Sequence, residues 1–395
     1  MKSTFSDKTW IEIDSKNLAH NAEVLSEYVG NKVEMGAMLK ANAYGHGVAE
    51  STLALHKIYS IFYAVLVSDA LIIRKKEKDA GLLPKRILVV GAINAGDLNL
   101  LCEHNIECAI TESDWRVKLD NFAGVKNQKL KVHIFIDSGL GREGLRWDSI
   151  SKDLDFLEIY SNKIEVVGAM THFSDAECAY DLDFAQTQLA NFKSAVIDLK
   201  NSRLLPENAE LHTAASSPAI VFPEARFGMV RFGLSAYGYW TSRDSQLATA
   251  RTNECGKTEL LELKPALSWR AKSVVVKTVK AGESVGYNRA FKCQKDTKIA
   301  VLPVGYFDGY PYASHAQFFV LIKGKRCPVL GCIMMNNIVV DVSDLEVGDD
   351  ETLTATLIGR DGSETITADD LARIAKTINY HILASLGIHL VKYIT

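Results

Sequence analysis

Eight short apolar runs follow one another between residues 33 and 231, and most are separated by a segment with the spacing of an amphipathic helix. Such runs predict buried β-strands, and strands that alternate with helices predict a parallel sheet. We expect strands at 33–39, 61–67, 86–90, 107–110, 130–136, 164–169, 209–213 and 228–231, with helices such as 69–80 and 183–200 between them. Eight strand–helix units in about 200 residues is the count of a closed (β/α)8 barrel of the TIM type. An open doubly wound sheet is the alternative, although it usually has fewer strands, and no G-x-G-x-x-G follows the first run.

The first of these runs ends on Lys40. It lies inside the string Ala37-Met38-Leu39-Lys40-Ala41-Asn42-Ala43-Tyr44-Gly45-His46-Gly47. In a parallel barrel the chemistry lies at the C-terminal ends of the strands. A lysine at such an end is partly desolvated, so its pKa falls and its amine can act as a nucleophile or a base near neutral pH. The simpler alternative is a lysine that reaches solvent before an ordinary turn.

Beyond a polar, irregular stretch at 241–262, the hydrophobic pattern changes to a period of two, which is typical of antiparallel strands. We expect strands near 272–277, 299–304, 318–322, 329–330 and 338–342, and one helix near 368–378. The sequence therefore predicts two domains, a barrel at 1–245 and a mostly β domain at 246–395. A short strand at 9–14 is expected to pack on the β domain, and a helix with Leu18, Ala22, Leu25 and Val29 on one face follows it.

Composition excludes several classes of partner. The net charge of −3 and the pI of about 6.4 argue against a nucleic-acid partner. The first residues lack the apolar core of a signal peptide, and no run approaches the ~18 apolar residues of a membrane span. The seven cysteines lack zinc-site spacing and fit free thiols. We therefore expect a cytoplasmic protein that has a small-molecule substrate and no metal, nucleic-acid or membrane partner.

The string around Lys40 resembles the cofactor-lysine motif of the alanine racemase family, fold-type III enzymes in which this lysine carries pyridoxal 5'-phosphate (PLP). The resemblance extends from about residue 9 to the C-terminus. It implies PLP as the cofactor, held covalently by Lys40, with Tyr44 as a second cofactor-binding residue. It also implies a barrel followed by a mostly β C-terminal domain.

Other strand ends carry the same resemblance. In the segment 227–234, Arg231 is similar to the family's arginine at the pyridine nitrogen of PLP, and Gly233 and Leu234 to its phosphate-binding amides. Ser216 resembles the phosphate-binding serine, although Ala215 stands where the family usually has Asn. His172 resembles a histidine that lies against the arginine. Singly, a surface arginine and a satisfied core histidine are the simpler alternatives.

An arginine at the pyridine nitrogen has a chemical consequence. Because a guanidinium donates a hydrogen bond and cannot take up a proton, the ring nitrogen stays unprotonated and the ring is a weaker electron sink. Such a site suits racemisation, because it avoids a long-lived carbanion that would enter side reactions.

The resemblance also supplies substrate-binding residues and a second base. Arg142, in the segment 136–142, matches an arginine that reaches the substrate carboxylate, and Met335 would offer it a backbone amide. Tyr287, in the segment 282–288, matches the family's catalytic tyrosine. A free tyrosine has a pKa near 10, so it needs cationic neighbours to act as a base. Racemisation needs a base on each face of the substrate, and Lys40 and Tyr287 would supply that pair.

Several positions depart from the family pattern. Phe135 stands where many members have a lysine whose carbamate orients the arginine, so we expect no carbamylated lysine behind Arg142. Tyr312 and Cys332 replace two arginines, and Asn336 replaces an aspartate, of the substrate entrance. Near the C-terminus, either Ile388 or Tyr393 takes the place of a tyrosine beside the substrate. These changes predict an altered entrance, and neutral drift around an unchanged alanine pocket is the alternative.

The resemblance implies PLP-dependent racemisation of an amino acid, first of all L-alanine to D-alanine for peptidoglycan. It also implies a homodimer with shared active sites, in which Tyr287 acts across the interface. A racemase with a broader or different substrate, such as serine or lysine, is one alternative. Decarboxylases and D-amino-acid lyases of the same fold type are less similar, since decarboxylases carry an acid at the pyridine nitrogen. A non-catalytic PLP-binding protein would resemble the barrel alone.

Overall fold

The structure, a computed structural model, describes residues 8–30, 32–252, 258–312, 317–349 and 351–395. These residues form two compact units. The barrel unit comprises residues 16–40 and 51–264, and the β unit comprises residues 8–15, 41–50 and 265–395.

The barrel unit contains eight parallel strands that form a nearly closed barrel, which confirms the predicted fold class. Its strands are β2 (Glu34–Met38), β3 (Ile61–Ala64), β4 (Arg86–Val89), β5 (Glu107–Ile110), β6 (Leu130–Asp137), β8 (Ile164–Met170), β9 (Glu210–His212) and β10 (Met229–Phe232). They pair in the order β10-β2-β3-β4-β5-β6-β8-β9. A bridge between Ala215 and Arg231 continues the pairing from the β9 side to β10. The short β7 (Leu145–Arg146) pairs with the end of β6.

Helices connect the strands of the barrel unit. They are α1 (Ser15–Val29), α3 (Val48–Leu55), α4 (Val67–Asp79), α5 (Leu98–Glu103), α6 (Trp115–Asp120), α7 (Ile150–Asp153), α8 (Asp183–Asn201), α9 (Ser216–Val221) and α10 (Arg243–Leu247). The predicted apolar face of α1 is buried, and the helix stops at Gly30, whose φ is +92°. The short segment α2 (Lys40–Tyr44) follows β2 as a left-handed turn, and a two-stranded ribbon joins β11 (Arg251–Thr252) to β12 (Thr258–Glu259). No helix in the described ranges is long and apolar enough to cross a membrane.

The β unit is built on one large, mostly antiparallel sheet. Its strands are β1 (Thr9–Ile13), β13 (Leu267–Lys272), β14 (Val275–Val279), β17 (Thr297–Leu302), β18 (Phe319–Ile322), β19 (Lys325–Leu330), β20 (Ile338–Asp341), β21 (Thr354–Asp361), β22 (Glu364–Ile366) and β23 (Val391–Ile394). The N-terminal strand β1 lies between β13, to which it is antiparallel, and β23, to which it is parallel. A separate small hairpin pairs β15 (Ser284–Val285) with β16 (Phe291–Lys292).

The expectation of one helix in the second half is wrong, because the described residues there form two α-helices. Helix α11 (Ala368–Ala375) ends at Lys376, which has a left-handed φ of +56°, and α12 (Asn379–Ala384) begins three residues later. The continuous apolar spacing across 368–378 hides this break, since nothing at the sequence level marks a lysine for a left-handed conformation.

Candidate active site

Lys40 lies at the C-terminal end of the first barrel strand, two residues after β2. The amide of Leu39 donates to the carbonyl of Tyr63 at 2.8 Å, which continues the strand pairing up to the lysine. The Lys40 side chain is half-buried. Burial first, and the charge of Arg142 second, lower the pKa of its amine, and Glu143 acts in the opposite direction. The lysine is thus shifted toward the neutral amine that a nucleophile or base requires.

The residues after Lys40 form a left-handed turn. Ala41, Asn42, Ala43 and Tyr44 all have φ between +51° and +54°, a conformation that costs roughly 1–2 kcal/mol per non-glycine residue. Hydrogen bonds hold the turn: the amide of Gly45 donates to Ala41 O at 3.2 Å and that of Gly47 to Asn42 O at 2.9 Å. His46 Nδ1 lies 2.9 Å from Tyr44 O. The structure therefore keeps a strained segment directly after the predicted cofactor lysine.

Tyr44 is buried in the β unit, with its ring centroid 6.2 Å from that of Tyr380. Burial, and then the proximity of Tyr380, raise the pKa of its phenol. The hydroxyl is therefore a neutral hydrogen-bond donor, which is the form that a phosphate-binding tyrosine needs.

Arg231 is buried at the end of β10 and is held by four hydrogen bonds. Nη1 donates to Nδ1 and to the carbonyl of His212, at 3.0 and 2.9 Å. Nη2 donates to the carbonyls of Thr171 and Thr213, at 2.8 and 3.0 Å. A guanidinium has five N–H groups, so Nε–H is the one donor of Arg231 with no acceptor among the described residues. Burial lowers the pKa of Arg231 to about 10, so it stays protonated at neutral pH.

The sequence analysis did not identify His212, which forms hydrogen bonds with Arg231. It did not identify His133 either, whose Nδ1 lies 3.0 Å from Nε2 of His212. Both histidines lie within apolar strands. A buried polar side chain in such a strand needs a hydrogen-bond partner, and this is the signal that could have identified them.

His172, predicted to lie against the arginine, makes no side-chain hydrogen bond to Arg231 within the described ranges. Burial first, and then the charges of Arg231, Arg142 and Lys40, lower the pKa of His172 to about 3. The imidazole is therefore neutral at physiological pH. These couplings also mean that the barrel unit brings Lys40, Arg142, His172 and Arg231 together at the C-terminal ends of its strands.

Ser216 and Gly233 meet where β9 and β10 end. The amide of Gly233 donates to Oγ of Ser216 at 2.9 Å, and both residues begin a helical turn. Ser216 Oγ accepts this bond and donates to no acceptor among the described residues, so its hydroxyl proton is available to a ligand. The amides at the starts of α9 and of the turn Leu234–Tyr237 are donors of the kind that bind phosphate.

Arg142 lies on a loop that Asp137 organises. Oδ1 of Asp137 accepts hydrogen bonds from the amides of Gly139, Leu140 and Gly141, at 3.0, 2.8 and 3.1 Å. The Arg142 side chain is 54% exposed and pairs with the carboxylate of Glu143. Phe135 is buried in an apolar cluster with Ala109 and Met170. Among the described residues, the partner of Arg142 is thus the carboxylate of Glu143.

In the β unit, Tyr287 and Met335 lie on neighbouring loops. Tyr287 follows Gly286, whose φ is +76°, and its side chain is 69% exposed. Sγ of Cys332 lies 3.9 Å from Tyr287 O, and Val285 packs in the same apolar cluster as Met334. Met335 is 54% exposed, and its carbonyl accepts from the amide of Phe307 at 3.0 Å.

Ile388 and Tyr393 occupy different kinds of position. Tyr393 lies within β23, opposite Glu12 of β1. Ile388 is 82% exposed on the loop after α12, where the amide of Gly387 donates to Asp308 O at 3.0 Å. Next to it, the His389 ring stacks on Phe307 at 4.7 Å between centroids. Ile388 is thus exposed on a loop, whereas Tyr393 is half-buried in a strand.

The donor set of the barrel unit fits PLP. Lys40 offers an amine of lowered pKa, Arg231 offers one uncommitted N–H, and Ser216 and the helix starts offer phosphate donors. A parallel barrel with these groups at its strand ends, followed by a β domain, defines the class of barrel-fold PLP enzymes.

Comparison with known proteins identifies the family within that class. The models of the alanine racemase N-terminal and C-terminal domains match residues 13–241 and 266–393. The alanine racemase of Listeria monocytogenes is 31% identical over 382 residues, 96% of this chain and 95% of the relative. That of Leptospira interrogans is 31% identical over 393 residues, 98% of this chain and 95% of the relative. The chain belongs to the alanine racemase family, whose members are PLP-dependent isomerases.

Solved structures agree over the whole chain. Alanine racemase from Bacillus anthracis, solved with L-Ala-P bound, superimposes with a TM-score of 0.87 at 28% identity and covers 100% of this chain and 96% of its own. A histidine racemase from Leuconostoc mesenteroides gives a TM-score of 0.83 at 25% identity and covers 99% of this chain and 98% of its own. Racemases of two different amino acids thus share this fold.

Proposed function

We propose that the protein racemises alanine with PLP, converting L-alanine to D-alanine for peptidoglycan in the cytoplasm. The observation that carries this proposal is Arg231, a buried guanidinium with four N–H groups bound to the protein and Nε–H left over. An arginine in this role favours racemisation over decarboxylation, because it leaves the ring nitrogen unprotonated.

Different residues of the chain would bind different parts of the cofactor. Lys40 would hold PLP covalently and Arg231 would donate Nε–H to its ring nitrogen, with the neutral His172 nearby. Ser216, Gly233, Leu234 and Tyr44 would hold the phosphate. Bound PLP supplies an electron sink that makes the α-proton of an amino acid acidic enough to remove.

Two bases then exchange the α-proton. The amino group of the substrate would take the place of Lys40 on the cofactor and release the Lys40 amine, whose pKa is lowered. That amine would take or return the proton on one face of the substrate, and Tyr287 would do so on the other. Arg142 and the backbone amide of Met335 would bind the substrate carboxylate.

Two measurements test this proposal. L-Alanine incubated with PLP-loaded protein should yield D-alanine by chiral chromatography, and borohydride treatment should fix the mass of the reduced cofactor on the peptide that contains Lys40. The Lys40→Ala variant should lose both results, whereas Lys57→Ala, at an exposed lysine beyond α3, should keep both. Racemisation by Lys40→Ala, or a label on another peptide, would refute the assignment.

We also propose a homodimer in which Tyr287 completes the site of the partner. The β unit exposes a group of large side chains around the loops of Tyr287 and Met335. These side chains are Tyr287, Tyr306, Phe307, Tyr312, Met335 and Ile388. Exposed apolar surface of this kind usually marks an interface, and a second copy of the chain is the occupant that the family resemblance implies.

Hybrid dimers test the shared site. A mixture of Lys40→Ala and Tyr287→Phe proteins should recover about a quarter of wild-type activity, because half the dimers are hybrids with one intact site of two. Lys40→Ala mixed with Arg231→Lys is the matched control and should recover nothing, since both residues belong to one barrel unit. No recovery in the first mixture, despite exchange shown by mass-tagged subunits, would contradict the shared site.

A racemase of a broader or different substrate is the second candidate. The exposed Ile388, one of the two positions that the resemblance places at a family tyrosine, and the fold shared with a histidine racemase favour it. kcat/KM should be compared for alanine, serine, lysine and histidine. A preference for alanine of more than about 100-fold over all three supports the first proposal, since a pocket gains or loses only about 10–200-fold per methylene. A ratio near unity supports the second.

A further inference from the structure

A chain of hydrogen bonds leads from Arg231 through the interior of the barrel to Glu107. Arg231 Nη1 lies 3.0 Å from His212 Nδ1, and His212 Nε2 lies 3.0 Å from His133 Nδ1. His133 Nε2 lies 3.0 Å from Glu107 Oε2. All four side chains are buried, and they come from four different strands.

The chemistry of its two ends fixes the direction of this chain. An ionised carboxylate only accepts hydrogen bonds and a guanidinium only donates them, so His133 Nε2 carries a proton and His212 Nδ1 is an acceptor. The proton of His212 is therefore on Nε2, which donates it to His133 Nδ1. Each donor meets one acceptor, with both histidines neutral and in the same tautomer.

Glu107 is held ionised at the far end. Its Oε1 and Oε2 accept from Nε and Nη2 of Arg86, at 2.9 and 2.8 Å, and Arg86 also binds Glu210. Burial raises the pKa of Glu107, but the bonds from His133 and Arg86 outweigh it and lower this pKa to about 2. Arg86, Glu107 and Glu210 also line a cavity of about 400 Å3 at the N-terminal ends of the strands.

The neighbouring strand leaves room for the chain. Gly168 of β8 lies beside His133 in the sheet register, and a Cβ at Gly168 would come within 2.3 Å of His133 Nδ1. The absence of a side chain at Gly168 therefore leaves the space that the His133 imidazole occupies.

We propose that Glu107 and His133 are positioning residues for Arg231. By holding His212 as an acceptor, they occupy Nη1 and fix the guanidinium plane, so that Nε–H remains the donor for the pyridine nitrogen. This inference rests on the proposed role of Arg231 in binding PLP.

Two variants test the inference, Glu107→Gln and Glu210→Gln, each of which replaces one of the two carboxylates that bind Arg86 with an amide. Glu107→Gln presents one oxygen where Glu107 presents two, so either Arg86 or His133 loses its acceptor. We expect kcat to fall about 10-fold or more, with KM within about threefold, as for other groups that orient a catalytic residue. The visible absorption band of bound PLP should shift as well. Glu210→Gln is the matched control, because Glu210 binds Arg86 without touching His133, and it should leave kcat, KM and the band unchanged.

Histidine tautomers give a readout that depends neither on activity nor on the cofactor. The 15N shifts of labelled imidazoles should show protonated Nε2 and unprotonated Nδ1 for both histidines, assigned by the signals missing from His133→Phe and His212→Phe. This measurement also decides the matter if Glu107→Gln does not fold. A wild-type protein that does not bind PLP or does not racemise amino acids would refute the proposed function. The measurement of the histidine tautomers could still be made on that protein. An Nδ1–H tautomer in either histidine, or a Glu107→Gln protein with the kcat and spectrum of Glu210→Gln, would overturn the inference.

Discussion

The amide of Gly233 donates a hydrogen bond of 2.9 Å to Oγ of Ser216, which joins the ends of two adjacent barrel strands. The bond uses one lone pair of the serine oxygen and leaves its hydroxyl proton for a ligand. The next residue, Ser217, is equally buried, but its hydroxyl donates to the carbonyl of Ala176 at 2.8 Å. Two adjacent serines thus differ in whether their proton is available.

This difference predicts the effect of two alanine substitutions on cofactor affinity. Ser216→Ala should weaken PLP binding by about 10- to 100-fold, because a hydrogen bond to a charged group contributes about 1.5–3 kcal/mol. Ser217→Ala should lower the thermal stability and leave PLP affinity within about twofold. Titration of apoprotein with PLP, followed by absorbance, measures both. Equal losses of affinity in the two variants would remove Ser216 from the phosphate site.

The parts of the molecule that the sequence predicted are those governed by local pattern. Each of the eight barrel strands was placed within three residues, because each is a short apolar run between breaking residues. The strand-end positions of Lys40 and Arg231 follow from the same runs. In the large sheet of the β unit, strands β21, β22 and β23 were not predicted, and only the last residue of β13 was. The break between α11 and α12 was not predicted either, because the spacing of apolar residues continues across it.

The parts that sequence reasoning missed depend on tertiary partners. Four consecutive non-glycine residues after Lys40 are left-handed, against the local preference of alanine and tyrosine, and hydrogen bonds from Gly45, His46 and Gly47 hold them. The chain from Arg231 to Glu107 joins residues up to 124 positions apart, counted as 231 minus 107, so no sequence spacing reveals it. Both features lie directly beside residues proposed for catalysis.

Arg142 and Glu143 predict a contrast in substrate binding. Their pair is half-exposed, and exposed ion pairs contribute only about 0–1 kcal/mol, so Glu143→Gln should change KM for alanine by less than about fivefold. Arg142→Gln removes a charged donor from the substrate carboxylate and should raise KM about 10- to 100-fold. Initial rates over a range of alanine concentrations give both values. A larger effect of Glu143→Gln on KM would mean that the Glu143 side chain, as well as Arg142, determines how tightly the substrate carboxylate binds.

The left-handed turn predicts an unusual response to glycine. Ala41 is exposed at φ +53°, so Ala41→Gly relieves a strain of roughly 1–2 kcal/mol and should leave the apparent Tm unchanged or raise it. The matched control is Ala190→Gly, at an exposed alanine inside the right-handed helix α8, where glycine costs about 1 kcal/mol and should lower the Tm. Calorimetry of the full chain measures both. If Ala41→Gly destabilises as much as Ala190→Gly, Ala41 is not left-handed in solution.

His46 predicts how the stability of this turn depends on pH. Burial first lowers the pKa of His46, the bonds to the carbonyls of Tyr44 and Ala43 oppose this, and the resulting pKa is about 4, against an ordinary value of about 6.5. Because the folded pKa lies below the unfolded one, the unfolded chain binds more protons between these values. The contribution of His46 is therefore complete above pH 6.5 and decreases as the pH falls toward 4, by about 3 kcal/mol in all. Chemical unfolding at pH 7, 5.5 and 4 should show a smaller loss for His46→Asn than for wild type, whereas His104→Asn, at an exposed histidine, should follow wild type. Parallel curves for His46→Asn and wild type would show that His46 is not buried as a neutral group.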